Sequence, residues 1–301
     1  MAITARQTVR IGTRGSRLAL IQTEWVIRRL RGLAADVGWE PAIITTTGDR
    51  SMTAELGTGV FVQEIEHELL DGRIDLAVHS LKDLPTESIK GLTLAAIPLR
   101  ADPRDALVGA RLESLHPGAR VGTGSPRRQA QLRHLRPDLE VLPIRGNVPT
   151  RVEKARSGEV DAVMLAAAGL ARLDLTPDEL FAPDVMIPAP GQGALAVQAR
   201  LEDEELLQLV AGLDDFATRA AVTAERAVLR ETGGGCMLPV AAYAEVDAGA
   251  LSIQAAVTSS DGARQVRVLE VGEALEPLEV AARAAERLLQ MGALELLRGD
   301  D

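Results

Sequence analysis

Cysteine occurs once in 301 residues, at Cys236. One thiol excludes an internal disulfide and any multi-cysteine metal site, so a reducing, cytoplasmic compartment is expected. Aromatic residues make up 2% of the chain. Leu, Val, Ile and Ala must then fill the core, and stacking platforms for single-stranded nucleic acid are missing. Long apolar runs are missing too: nothing approaches the roughly 20 residues a membrane helix needs. The opening stretch MAITARQTVRIGT has no apolar run fit for a signal peptide. The four histidines (His67, His79, His116, His134) show no metal-ligand spacing, so no metal is expected. A net charge of −10 argues against nucleic acid or an anionic membrane as partner. Lysine is scarce as well. Only Lys82, Lys90 and Lys154 are found among 33 basic residues, which leaves 30 arginines. Base composition alone accounts for such a bias, or else some arginines bind carboxylates or phosphates as planar forks.

What is present is ordinary globular material, 46% hydrophobic and 25% charged, long enough for two or three domains. Strand-like runs alternate with helical patterns: Val9–Thr13, a helix over Leu18–Leu30, Pro41–Thr47, a helix over Val62–Leu70, then strands at Ile74–His79 and Leu92–Ile97. The segment Arg100–Asp105 breaks the pattern and reads as a linker. The same grammar restarts with a strand ending at Val121, a helix over Pro126–Leu135, a strand at Leu139–Ile144, a helix over Val148–Arg156 and a strand at Val160–Leu165. A second break falls at Ile187–Gly193. Arg10-Ile11-Gly12-Thr13 is echoed by Arg120-Val121-Gly122-Thr123, and Gly72-Arg73-Ile74-Asp75 by Gly158-Glu159-Val160-Asp161. Two echoes in one order point to a pair of similar α/β domains with mainly parallel sheets, hinged about a cleft. Beyond Asp214 a helix over Phe216–Leu229, three strand-like runs (Val240–Glu245, Leu251–Val257, Val266–Val271) and a helix over Leu278–Met291 suggest a small α+β domain. The expected division is 1–100 with 194–214, 101–193, and 215–301.

Four stretches carry chemistry. In Gly122-Thr123-Gly124-Ser125-Pro126-Arg127-Arg128 a strand turns into a helix that Ser125 caps and Pro126 opens. Two cations in the first turn oppose the helix dipole, so an anion there is the simplest compensation. Thr13-Arg14-Gly15-Ser16 is a plainer version of the same turn. Arg145 at a strand end and Arg151 in the next helix, around Gly146 and Asn147, repeat the logic, although a lone surface arginine needs no explanation. The cluster His79-Ser80-Leu81-Lys82-Asp83-Leu84-Pro85 sits where an α/β strand ends and ligands bind. Asp83 is either an acid–base or cation-stabilising carboxylate or a turn cap before Pro85. Cys236 follows three glycines, a poor core element, and is either a small buried hydrophobe or a covalent attachment point.

Taken in order, IGTRGS, DLAVHSLKDLP, DPRDAL, VGTGSPRRQAQL, RGNVPTR, LAAAGLARL, PAPGQGALAV, TAERA and GGGC resemble the porphobilinogen deaminase (hydroxymethylbilane synthase) family over nearly the whole chain. The resemblance implies two α/β domains built like type II periplasmic binding proteins and a third bearing the cofactor cysteine. It implies a transferase of tetrapyrrole and heme biosynthesis, acting as a monomer. Porphobilinogen would lose ammonia, and the resulting azafulvene would add to a chain growing on a dipyrromethane primer held by Cys236. Four additions would precede release of hydroxymethylbilane. Asp83, Arg14, Arg145 and Arg151 would be catalytic. Cys236, Ser80, Lys82, Asp83, Thr123, Ser125, Arg127, Arg128, Arg145 and Gly146 would hold the cofactor. Arg14, Ser16, Phe61, Arg151, Asn147, Arg172 and Gln192 would meet substrate. The glycine-rich stretch Ala54–Val60 before Phe61 departs from the family pattern in lacking lysine. Two other readings remain at this level: a non-catalytic anion-binding protein of the periplasmic-binding class, and a cysteine-nucleophile hydrolase without an evident histidine partner.

Overall fold

The computed structural model describes residues 8–44, 62–87, 89–233 and 238–298. Phe61, Ala54–Val60 and Cys236 lie outside the described residues. The chain divides into two compact units, Met1–Arg100 with Ala194–Arg219, and Ala101–Gly193 with Ala220–Asp301.

The first unit contains β1 (Thr8–Arg14), α1 (Arg17–Leu33), β2 (Gly38–Ile44), α2 (Gln63–Leu70), β3 (Leu76–Ser80), β4 (Leu92–Ala96), β10 (Leu195–Arg200) and α6 (Glu204–Val210). Its sheet runs β2-β1-β3-β10-β4. β1 is parallel to β2 and β3, whereas β10 is antiparallel to β3 and β4. Pro41 is tolerated because β2 is an edge strand. Val26, Ile27 and Leu30 of α1 pack on Val9, Ile11, Leu76 and Val78, burying one face of the sheet. Ile65 and Leu69 of α2 cover the other with Ile74 and Ala77.

The second unit holds two sheets. The first uses β5 (Asp105–Val108), β6 (Arg120–Gly122), α3 (Pro126–Leu135), β7 (Glu140–Leu142), α4 (Val148–Arg156), β8 (Ala162–Ala166), α5 (Ala167–Arg172) and β9 (Glu179–Leu180), in the order β7-β6-β8-β5-β9. β6 is parallel to β7 and β8, and β5 is antiparallel to β8 and β9. This is the arrangement of the first unit again. The echoed residues make the same contacts in both: the Arg10 N–H donates to Asp75 Oδ2 at 2.9 Å and the Arg120 N–H to Asp161 Oδ2 at 2.6 Å. Each arginine side chain then reaches the glycine carbonyl three residues before its aspartate, Gly72 or Gly158.

The second sheet is an antiparallel meander of β11 (Val240–Asp247), β12 (Ala250–Thr258) and β13 (Gln265–Glu273). Apolar residues of α7 (Phe216–Glu231), α8 (Pro277–Gln290) and α9 (Ala293–Arg298) form one core with it, through Ala224, Val228, Ile253, Ala255, Ala284 and Leu288. The meander also meets the first sheet's helices within this unit: the Arg133 side chain donates to the Ser260 carbonyl at 2.7 Å.

Two expectations need correction. The sheets are mixed rather than mainly parallel, because β5 and β10 run against their neighbours. Arg100–Asp105 is also not linker throughout, since Asp105 is the fully buried first residue of β5. Proline at 103 masks the strand's entry, and four residues are too few to show a period.

Candidate active site

In each sheet the loops after the parallel strands open on one edge, which is where α/β folds bind ligands. In the first unit, β1 ends at Arg14 and Ser16 caps α1, accepting the Ala19 N–H at 3.3 Å. β3 ends at Ser80, whose hydroxyl accepts from buried Gln22 at 2.9 Å, and a 3-10 turn over Leu81–Asp83 follows. Arg14, Ser16, Gln22, His79, Ser80 and Asp83 line an open pocket. Among the described residues the Asp83 carboxylate accepts no hydrogen bond and joins no ion pair, so it caps nothing. Lys82 is half-buried beside it in the same turn. Burial lowers the His79 imidazole to about 4, against a smaller upward pull from Gln198, which leaves the ring neutral near pH 7.

In the second unit Ser125 caps α3 and Pro126 opens it, as expected. The anion that offsets Arg127 and Arg128 is the chain's own Asp105. Its Oδ2 accepts from Arg127 Nη1 at 2.6 Å, and its Oδ1 accepts from Arg127 Nη2 at 3.1 Å, Arg128 Nε at 2.8 Å and Gln192 Nε2 at 2.9 Å. Burial would raise the Asp105 carboxyl, but the charges of Arg127 and Arg128 override it and hold the group well below the usual carboxylate range. The inference that a first-turn cation pair requires a bound anion is therefore corrected: β5 supplies one from inside. Gln192, expected to touch substrate, is 0% exposed, and its amide nitrogen donates to Asp105 and to the Pro103 carbonyl. Its carbonyl accepts from Arg128 at 3.1 Å.

Other arginines lack such a partner. Arg151 on α4 donates to the Gly146 carbonyl at 2.7 Å but meets no carboxylate among the described residues. Burial and the charge of Arg128 lower its pKa. Arg172, ending α5, donates to the Gly193 carbonyl at 3.1 Å, and burial lowers it to about 10. Arg145 is exposed. Thr123 is fully buried, and its hydroxyl accepts the Ser125 N–H at 3.3 Å. Asn147 caps α4, accepting the Thr150 N–H at 3.0 Å, beside Gly146, whose φ of 114° suits glycine alone. A Cβ on Gly124 would stand 3.2 Å from the Ile144 carbonyl, a tight approach that glycine avoids.

Asp105 and Glu225 were missed as important residues. Neither pairing has a local signature: Asp105 lies 22 residues from Arg127, and Glu225 lies 34 residues from the Gly191 amide it accepts.

The chain matches a family model described as "Porphobilinogen deaminase, dipyromethane cofactor binding domain" over residues 9–208, and a second, "Porphobilinogen deaminase, C-terminal domain", over 219–290. The chain belongs to the porphobilinogen deaminase family. It is 50% identical to a porphobilinogen deaminase of Roseiflexus sp. (strain RS-1), over 98% of this chain and 100% of that one. It is 45% identical to one of Deinococcus radiodurans, over 97% and 98%. The Bordetella pertussis BvgS periplasmic VFT2 domain superposes with a TM-score of 0.40 at 14% identity, covering 68% of this chain and 86% of that one, too loosely to add to the sheet orders above. The dipyrromethane-binding domain of this family thus spans both mixed sheets here.

The site's residues fit that cofactor. Each of its pyrrole units brings carboxylates and an N–H donor. Each unit offers part of the complement among the described residues: the second has guanidinium groups of Arg151 and Arg172 without carboxylates, and the first has the Asp83 carboxylate without a donor.

Proposed function

We infer that the chain is an enzyme, a porphobilinogen deaminase (hydroxymethylbilane synthase) of tetrapyrrole biosynthesis, and propose the following residue roles. A dipyrromethane on Cys236 supplies the free pyrrole carbon that each new unit joins. Arg14, Ser16, Phe61, Asn147, Arg151 and Arg172 bind porphobilinogen, the arginines by charge-assisted forks that do not titrate. Ser80, Lys82, Thr123, Ser125, Arg127, Arg128, Arg145 and Gly146 face the cofactor, with Arg127 and Arg128 held by Asp105 rather than free to follow a ligand. Asp83 stabilises the positive charge that develops on the substrate pyrrole as ammonia leaves, and Arg14, Arg145 and Arg151 hold the reacting groups in line. Four additions precede release of hydroxymethylbilane. The observation that carries these roles is an unmatched charge in each unit: half-buried Arg151 and Arg172 meet no carboxylate in the second, and the Asp83 carboxylate meets no cation in the first, among the described residues.

We assign 1–100 with 194–214 and 101–193 to two α/β domains and 215–301 to the cysteine-bearing domain, and we take the enzyme to be a cytoplasmic monomer. Among the described residues no helix is long and apolar enough to cross a membrane. The test is intact mass. Wild type carries a permanent adduct and climbs by discrete units after mixing with porphobilinogen. Cys236→Ser folds but shows neither, because serine is far less nucleophilic at neutral pH. An adduct on Cys236→Ser, or a wild type that never carries one, refutes the attachment.

A further inference from the structure

The turn Ala189–Gln192, closed by the Gln192 N–H donating to the Ala189 carbonyl at 2.9 Å, is held from two directions by fully buried side chains. On one side is Glu225 of α7, at 0% exposure. Its Oε2 accepts the Gly191 N–H at 2.6 Å and its Oε1 accepts the Ala244 N–H of β11 at 2.8 Å. The Pro188 carbonyl, just before the turn, accepts the Ala242 N–H at 3.2 Å. On the other side Gln192 binds Asp105, the Pro103 carbonyl and Arg128. A continuous chain of hydrogen bonds therefore runs from β11 and α7, through Gly191 and Gln192, to the Asp105–Arg127–Arg128 cluster. In sequence, α7 ends at Glu231, five residues before Cys236.

A carboxylate suits this place chemically. Two amide N–H groups converge on one side chain, and a carboxylate offers two acceptor oxygens and no donor. Glutamine, the same size, would set its own N–H₂ against one of the two amides. Nothing in the roles above uses Glu225.

We propose that Glu225 is a positioning residue of the enzyme: it registers the helix leading to Cys236 against the buried arginine cluster by way of the Gly191–Gln192 turn. The inference rests on the reading that Cys236 carries the cofactor. Its consequence is that loss of Glu225 impairs loading of the primer, beyond any loss of fold stability, because what is attached at Cys236 no longer meets Arg128 in register.

The experiment compares full-length wild type, Glu225→Gln, Gln192→Leu, the double variant and Val228→Ala. Val228 lies on α7 in the apolar core at 0% exposure, so Val228→Ala opens a cavity and lowers Tm without touching the hydrogen-bond chain. For each, Tm is recorded, and the unloaded fraction is read by intact mass after incubation with porphobilinogen. At matched Tm, Glu225→Gln and Gln192→Leu are expected to load about ten- to a hundredfold less well than Val228→Ala, the effect of one lost charge-assisted hydrogen bond. The double variant should load no worse than the poorer single one, since both cut one path. Equal loading of Glu225→Gln and Val228→Ala overturns the proposal, as do fully additive effects. If Glu225→Gln fails to fold, Gln192→Leu decides: wild-type loading by that variant overturns it. A wild type without any adduct refutes the attachment at Cys236 and the positioning role together, an outcome distinct from a loaded wild type whose variants load equally.

Discussion

Replacing Asp105 by asparagine removes the anion that two buried guanidinium groups share. The carboxylate is 0% exposed, and Arg127 and Arg128 are 3% and 6% exposed. Asparagine keeps the size but offers one acceptor oxygen, and its N–H₂ would face N–H donors. Breaking a buried ion pair by removing one partner typically costs about 3–5 kcal/mol. Here one carboxylate serves two cations, which places the loss at the upper end, about 5 kcal/mol against a total stability of about 5–15. Local stability is best read by hydrogen exchange at the strand amides of β5 and β8, because a chain with several sheets need not unfold in one step. Protection there should fall by nearly four orders of magnitude, at about 1.4 kcal/mol per tenfold. The pH dependence follows from the depressed carboxyl. Its contribution is fully present above the unfolded value of about 3.9 and is lost only as pH falls below that, through the folded value. The difference between wild type and Asp105→Asn should thus be level from pH 8 to pH 5 and narrow only under strong acid. A loss below about 1 kcal/mol, or a difference that fades between pH 8 and pH 5, would refute the view that Asp105 holds this cluster.

Asp83→Asn should keep the adduct on Cys236 while turnover drops about 10²–10³-fold, the usual effect of losing one transition-state electrostatic contact; normal turnover in a loaded variant would end the catalytic assignment. Arg151→Leu relieves a partly buried cation that Arg128 repels, so Tm should rise rather than fall while KM for porphobilinogen worsens about ten- to a hundredfold. Arg14→His should load but stall, with a mass ladder that does not climb; a normal ladder would move Arg14 out of the site.

How much of this was legible depended on the range of the signal. The helices α3 and α4 begin and end where the sequence places them, because Ser125-Pro126 and Asn147 are local signals that act within one turn. The duplicated architecture was legible from two short echoes, and both proved to be the same backbone contact made twice, Arg10 to Asp75 and Arg120 to Asp161. The antiparallel strands were not legible. β5 is four residues with no exposed position, so it has no alternation to read. β10 likewise looks like any buried run. Both lie just beyond points where the chain passes from one unit to the other, and only tertiary pairing gives them direction. At the site, the turn motifs pointed to the right loops, but the division of labour among the arginines could not be read from them. The fork of Arg127 is closed by a residue that the pattern assigns to a linker.

That division bears on what an arginine-rich sequence means. Thirty arginines suit base composition, and some behave accordingly: Arg73 and Arg136 pair with carboxylates close by in sequence at the surface, worth little to stability. Burial separates the remainder into two kinds. Arg127 and Arg128 are buried and neutralised, so they define structure first and meet ligand, if at all, with geometry already set. Arg151 and Arg172 are partly buried and each donates to a backbone carbonyl but meets no carboxylate among the described residues, and desolvation lowers both. A guanidinium in that state is a standing cost to the fold, because the charged form is taken from water without a counter-charge in return. Exposed Arg145 bears no such cost, so its position carries less weight. A cation kept at a loss to stability is best explained by an anion that arrives later, and on the proposed roles that anion is a pyrrole carboxylate of the growing chain.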